Sequence, residues 1–496
     1  MIAYWQINRP AAPAISRKEA RLSRDLRPRL HLTAPANWMN DPNGLRSVGG
    51  VLHVTYQYNP YEPRWGRMHW GHAMTQDLVS WTHLPVAVSP GPGADEFGCW
   101  SGSLVDDAGV VSLFYTGVRL DGTDRRQSIC RAVSVDDALL AWRKDEGNPL
   151  VAGPPPDIDP DLFRDPFVWR DGERWAMLVG AGTADGHGTV LLYRSPDLRA
   201  WSYVGRILTA EQFDPALGAD APMWECPQLL RLDGVDVLIV SVVDRAPGIR
   251  PSHVMAFAGR LADDRFEVAD VQQLGMGPDF YAPAATMLPD GRWLLLGWIP
   301  EDPPGEGSSR TWAGSLTLPR IVSIGGDGRL SLALANEVLR CRQTRRPHRP
   351  ADLVDADPWR RRLPDGPVEL GVAIEPVDAE EVVVELRDAE HGDPIVRAGY
   401  RPADRVLSLA RAGIVGVAGR SSMTATTLPE GDGRTVRLRL ILDGSILEME
   451  TNGHIMATAR LPERPSDEPL NVVIASHGGR ARLRQVEIWP LDVPAG

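Results

Sequence analysis

The sequence predicts an all-β protein, a five-bladed β-propeller followed by a C-terminal β-sandwich. Three observations predict it: an apolar strand recurs five times behind a glycine turn, the turns are evenly spaced, and the period stops after Arg320. The recurring strands are VLHVTYQYNP from Val51, VVSLFYTG from Val110, RWAMLVGAG from Arg174, VDVLIVSVV from Val235 and RWLLLGWIP from Arg292. Their turns end at Gly50, Gly109, Gly172, Gly234 and Gly291, at steps of 59, 63, 62 and 57 residues. Such a step accommodates four short strands, one propeller blade. A second signal runs in phase, with DLVSW from Asp77, DALLAW from Asp137 and DLRAW from Asp197, each placing a tryptophan late in its unit. Frequent Gly and Pro, and apolar runs that are short and β-branched or aromatic, disfavour helices.

The expected organisation is an N-terminal extension over 1–29, the propeller over 30–325, a linker with a short helix over 326–354, and the sandwich over 355–496. The helix is expected around ALANEVLRCRQ, and the stretch TRRPHRPADL reads as the linker proper. Beyond it, VELGVAIEP, EEVVVELRD, TVRLRLILDG, SILEMETNG and LNVVIASHG read as successive strands separated by Gly, Asp and Pro turns.

The 496 residues are 43% hydrophobic and 24% charged, a composition for folded domains with ample cores. The formal net charge of -12 argues against nucleic acid or an anionic membrane surface as partner, and a neutral substrate fits better. Cys99, Cys130, Cys226 and Cys341 show no CxxC spacing, so neither a zinc site nor a disulfide framework is expected. No signal-peptide core and no run of 18 apolar residues occurs, from which a cytoplasmic location is expected. His31, His69, His72 and His187 show no ligand spacing with a second acid, so no metal is expected, and no other cofactor.

The segment about ten residues before each apolar strand is its hairpin partner, so equivalent offsets occupy equivalent places around the propeller channel. Those offsets hold Asp41 in WMNDPNG, Ser101 in CWSGS, Arg164 and Asp165 in FRDPF, Glu225 in WECPQ, and Tyr281 in DFYAP. Asp41 and Asp165 lie 124 residues apart, about two repeats, and Asp165 and Glu225 lie 60 apart, one repeat. An Asp-Pro dipeptide alone suggests only a turn; three acids in one phase suggest a site, because carboxylates gathered in a narrow channel repel one another and cost stability. Two of them suffice for glycoside hydrolysis, one attacking the anomeric carbon or activating water, the other protonating the leaving oxygen. The third can hold substrate hydroxyls.

At these residues the chain resembles glycoside hydrolase family 32, the invertases, levanases and exo-inulinases. WMNDPNG at Trp38 to Gly44, QYNP at Gln57, HWGHA at His69, WSGS at Trp100, LFYTG at Leu113, RDP at Arg164, WECP at Trp224, DFYA at Asp279 and LDGSILEME at Leu442 carry the resemblance. It implies that Asp41 is the nucleophile, Asp165 the transition-state stabiliser and Glu225 the acid/base, with Asn40, Gln57, Trp65, Trp100, Ser101 and Arg164 as sugar contacts. Arg164 is expected to keep Asp165 ionised, and Cys226 to be a buried partner that tunes Glu225. Asp443 and Glu448 read as surface charge and turn chemistry. Gln228, Trp100 and the APAAT tail after Tyr281 depart from the family pattern, the last bearing on the leaving-group subsite.

The implied activity is that of a β-fructofuranosidase, retaining hydrolysis of terminal β-D-fructofuranosyl groups from sucrose and related fructo-oligosaccharides through a covalent fructosyl-enzyme. The alternatives are an exo-fructanase on levan or inulin, a fructosyltransferase, an inverting arabinan-type propeller hydrolase and a non-catalytic carbohydrate-binding propeller.

Overall fold

The computed structural model describes residues 26–243, 253–277, 279–301, 304, 310–355, 357–388, 392, 394–411, 423–429, 434–462 and 470–493. Positions 1–25 of the expected N-terminal extension lie outside the described residues. The chain forms two compact units. One comprises Thr33–Leu274 and Tyr281–Leu330; the other comprises residues up to Leu32, Gly275–Phe280 and Ser331–Ala495.

In the first unit, five antiparallel sheets follow one another along the chain, each opening with a hairpin. Their inner strands are Asn37–Val48, Gly98–Asp107, Ile158–Asp171, Met223–Leu232 and Tyr281–Met287, and the partners are Val51–Asn59, Val110–Asp121, Arg174–Thr183, Val235–Val243 and Trp293–Ile299. Each inner strand touches the next, and the fifth touches the first, so the ring is closed and the unit is a five-bladed propeller. The partner strands are the five apolar runs of the sequence. They read as continuous rather than alternating because both faces are covered, as the fully buried run Ala176–Thr183 shows. All five turn glycines have φ between 63° and 92°, the left-handed region that glycine adopts without steric cost.

Closure of the ring uses the segment WAGSLTLPR, which begins at Trp312. Trp312–Ala313 pairs in parallel with the first inner strand, Asn37 opposite Trp312 and Trp38 opposite Ala313. Gly314 follows at φ 90°, where a Cβ would lie 1.9 Å from the Met39 carbonyl oxygen, so only glycine lets the two backbones approach. The in-phase aspartates make turns: Asp77 accepts the N–H groups of Val79 and Ser80, and Asp197 those of Arg199 and Ala200. In the second blade that role falls to Asp136, which accepts from Leu140 and Ala141, rather than to Asp137.

The second unit is a sandwich of two sheets. One is built around Val368–Pro376, Val436–Asp443, Ile446–Thr451 and Ala481–Pro490, the other around Glu381–Arg387, Pro394–Arg401, Val406–Arg411 and Asn471–His477. Alternate residues of both, such as Leu370 and Val372 from one and Val382 and Val384 from the other, share a single core. The stretch read as a linker is different in the structure: Arg346–His348 and Ala351–Leu353 are short strands paired with Ala481–Pro490. Its prolines are tolerated because these strands lie at a sheet edge. The expected helix is a 3₁₀ turn over Asn336–Cys341.

Asp443 and Glu448 are not surface charges. Both side chains are buried, at 0% and 1% exposure, around His31. Asp443 accepts the N–H groups of Arg29, Leu30 and His31 and the His31 ring Nδ1 at 2.8 Å. His31 Nε2 lies 3.4 Å from Glu448. Burial alone would lower the His31 pKa, but hydrogen bonds and charge from the two carboxylates override it and lift it to about 8. The reading as surface charge and turn chemistry fails because the partner lies 412 residues away.

Candidate active site

Every inner strand of the propeller carries a register shift where the sequence places its candidate residue. The shifts fall between Met39 and Pro42, Trp100 and Gly102, Arg164 and Phe167, Glu225 and Gln228, and Tyr281 and Ala284. Four of the five hold an X-Pro pair: Asp41-Pro42, Asp165-Pro166, Cys226-Pro227 and Ala282-Pro283. Proline has no N–H for the ladder and so sits where the ladder is already broken. Asp-Pro here marks a bulge rather than a turn. Asp165, Cys226 and Ala282 take φ values of 65°, 48° and 46°, a strained conformation for residues with a Cβ.

These bulges bring the three acids together. Asp41 Oδ2 accepts from the Ser101 hydroxyl at 2.8 Å, and Oδ1 from Asn40 Nδ2 at 3.1 Å. Asn40 is itself fixed by Trp38 Nε1 at 2.7 Å. Asp165 Oδ2 accepts the Cys226 N–H at 3.0 Å, and the Asp165 N–H donates to Thr116 Oγ1 at 2.8 Å. The Cys226 thiol lies between two acids, 3.7 Å from Asp41 Oδ2 and 3.5 Å from Asp165 Oδ2. The expectation that Cys226 tunes Glu225 is therefore corrected, since its sulfur faces the other two carboxylates. Burial and the three surrounding acids push the thiol pKa up, which keeps it a protonated donor.

Arg164 also departs from expectation. Its guanidinium forks onto Glu225 Oε1, at 2.9 Å from Nε and 2.6 Å from Nη2, and not onto Asp165. Glu225 Oε2 accepts from the Tyr281 hydroxyl at 2.7 Å. Asp165 is left with Arg164 only as a nearby charge. Burial raises its pKa to about 7, the Arg164 charge opposing and those of Glu225 and Asp41 adding. Burial likewise raises Asp41 to about 6, against the hydrogen bond from Asn40 and with the Glu225 charge. These acids are held near neutrality by too few partners rather than by none.

Around them, Trp38, Cys226, Tyr281 and Trp298 form one apolar cluster with Trp65 and Trp100 packed against it. Trp65 and Trp100 meet edge to face, 5.8 Å between centroids. Gln57 is buried and gives its amide to the Cys99 carbonyl at 3.0 Å. With its amide oriented to match donors with acceptors, Asn43 donates to Ser101 Oγ at 3.1 Å and accepts from Gln57 Nε2 at 3.1 Å. Gln57 thus stands behind Asn43, which supports Ser101, which supports Asp41. Gln228 is also structural, its Oε1 accepting the Ala285 N–H at 3.1 Å across neighbouring blades. Sequence reading did not assign roles to Asn43, Thr116 or Tyr281. Tyr281 had a usable signal, since it stands in the fifth blade at the offset of Glu225.

One grouping of a different kind lies elsewhere in the propeller. Asp185, His187 and Glu211 place ligand-type atoms within 4.8 Å of one another. The reading that no histidine has acids at ligand spacing is corrected for His187, because folding gathers what the spacing separates. Asp185 and Glu211 are exposed, a common arrangement for surface acids.

Three carboxylates gathered on the inner strands fit the paired-carboxylate chemistry of glycoside hydrolysis. The chain belongs to glycoside hydrolase family 32: residues 31–333 match the profile of the glycosyl hydrolases family 32 N-terminal domain. It is 31% identical over 510 aligned residues to the sucrose-6-phosphate hydrolase of Escherichia coli, covering 97% of this chain and 98% of that one. It is 34% identical over 506 residues to the raffinose invertase of Escherichia coli, covering 97% and 98%. The structure of the Bombyx mori GH32 beta-fructofuranosidase superposes with a TM-score of 0.79 at 27% identity, covering 96% of this chain and 97% of that one.

Proposed function

We propose that the protein is a retaining β-fructofuranosidase that releases terminal fructosyl groups from sucrose-type sugars. Asp41 attacks the anomeric carbon to give a covalent fructosyl-enzyme. Glu225 protonates the leaving oxygen and then deprotonates the incoming water. Asp165 holds fructose hydroxyls more strongly as positive charge develops on the ring. The observation that carries this reading is the convergence of Asp41, Asp165 and Glu225 around Cys226, with Asp41 oriented by Ser101 and Asn40.

The partnering of the acids fits two half-reactions. Ser101 and Asn40 fix the direction of the Asp41 carboxylate, which serves attack, while Tyr281 and Arg164 hold both oxygens of Glu225. Substrate arrival replaces one of those hydrogen bonds with the glycosidic oxygen. The names of the relatives support sucrose-type sugars as substrates, and the cytoplasm as the site of action stays with this reading.

The test is the stereochemistry of the first product. Proton NMR of a sucrose digest is expected to show β-fructofuranose released before mutarotation, and Asp41→Ala is expected to release none. Initial formation of the α-anomer contradicts the covalent route.

A further inference from the structure

The geometry points to Arg125 as a specificity-determining residue that receives an anionic group, a phosphate monoester, on the sugar that leaves. This rests on the fructosidase reading above. Arg125 lies near the start of the strand Asp124–Ser134 in the second blade, half-buried between exposed Asp124 and buried Gln127. Its Cζ stands 5.3 Å from the ring centroids of Trp65, Phe97 and Trp100 alike. Among the described residues its side chain has no ion pair and no hydrogen bond, only the three ring faces, and its Nε is buried without a hydrogen-bond partner. Burial and the neighbouring charge of Arg164 lower its pKa to about 10, against the weaker opposing charge of Asp161.

Its place ties it to the site. Trp100 precedes Ser101, whose hydroxyl holds Asp41, and Arg164 also approaches the Trp100 ring, at 6.0 Å. Of these two arginines, Arg164 is hydrogen-bonded to a carboxylate, whereas Arg125 has Asp161 only as a nearby charge. A cation drawn out of water without a partner is costly, and an anion supplied by a ligand offsets that cost. Guanidinium matches phosphate oxygens in a bidentate fork, and the tryptophan walls suit a sugar ring. The fructosyl ring must sit at Asp41 among the acids. Arg125 reaches the site through the Trp65 and Trp100 rings rather than through the acids, which assigns it to the departing half.

The experiment compares kcat/KM for sucrose 6-phosphate and sucrose in the wild type, Arg125→Gln and Arg125→Lys, with thermal melts to establish folding. The wild type is expected to prefer the phosphorylated sugar by roughly tenfold or more, and R125Q to reduce that ratio by about tenfold through KM, with R125K keeping part of it. Inorganic phosphate is expected to inhibit the wild type competitively and R125Q much less. A wild type with no preference for the phosphorylated sugar, or a ratio that R125Q leaves unchanged, overturns the proposal while leaving the fructosidase reading intact. Cleavage of neither sugar overturns both.

Discussion

Asp443 in the sandwich and Asp165 in the propeller are both buried carboxylates with a cation nearby, and their surroundings treat them in opposite ways. Asp443 accepts three backbone N–H groups and the His31 ring, and these hold its pKa below the usual range although burial pushes the other way. Asp165 has one backbone N–H and a thiol, faces two more acids, and sees its neighbouring arginine committed to Glu225. Its pKa rises to about 7. The difference teaches how a buried acid declares its purpose. Fully partnered, it clamps a chain segment; under-partnered beside its own kind, it costs stability that only a bound substrate or a reaction explains.

The sharpest way to break the comparison is to remove one acid from each group. Asp41→Asn is expected to lower kcat by about 10⁴-fold or more, the scale of losing a reacting group, and to raise the melting temperature, since an unfavourable buried charge is gone. Asp443→Asn is expected to do the reverse, costing roughly 3–5 kcal/mol because His31 loses a buried carboxylate partner, with the folded fraction still turning over sucrose. Denaturant titration and initial rates on both variants check this. Equal stability losses in the two variants contradict the distinction.

The two groups also respond to pH in distinct windows. On the proposed mechanism Asp41 attacks as the carboxylate, so kcat/KM is expected to fall as pH drops through about 6. His31 binds its proton more tightly in the folded state than in the unfolded one. Its contribution is therefore fully present below the unfolded value of 6.5 and is lost as pH rises through about 8. The span corresponds to about 2 kcal/mol. Asp443, with a depressed pKa, contributes above its unfolded value of 3.8 and loses that contribution in acid. Stability measured from pH 6 to pH 9 should decline in the wild type and stay flatter in His31→Gln.

The smallest expected effect is at Cys226. Its thiol is one of the few donors to Asp41 and Asp165, so Cys226→Ala should shift the acid limb of kcat/KM upward by a few tenths of a pH unit. The loss in kcat should be about tenfold or less, since no reacting atom is removed. A limb that does not move would assign the thiol to packing alone.

Much of this is legible in the sequence. Five glycine turns set the blade period because each hairpin needs a left-handed residue there, and the apolar strands stand out because blades cover both their faces. The phase of Asp41, Asp165 and Glu225 followed from that period. The X-Pro pairs at residues 41–42, 165–166, 226–227 and 282–283 mark bulges of four inner strands, which the turn reading of Asp-Pro did not reveal. Spacing does not encode where a side chain points from a bulge, which is why Arg164 was matched with Asp165 instead of Glu225. Nor does it reveal a pair such as His31 and Asp443, which only the folded sandwich brings together.

The central claim is that the under-partnered acids of the propeller do the chemistry, with Asp41 forming the bond to fructose. Glu225→Gln incubated with fructosyl fluoride tests it most directly, because fluoride leaves with little help from an acid whereas the second step still needs the missing base. The account predicts that the variant gains the mass of one anhydrofructose and that peptide mapping places it on Asp41. A label on another residue, or steady turnover to inverted product with no adduct, would contradict it.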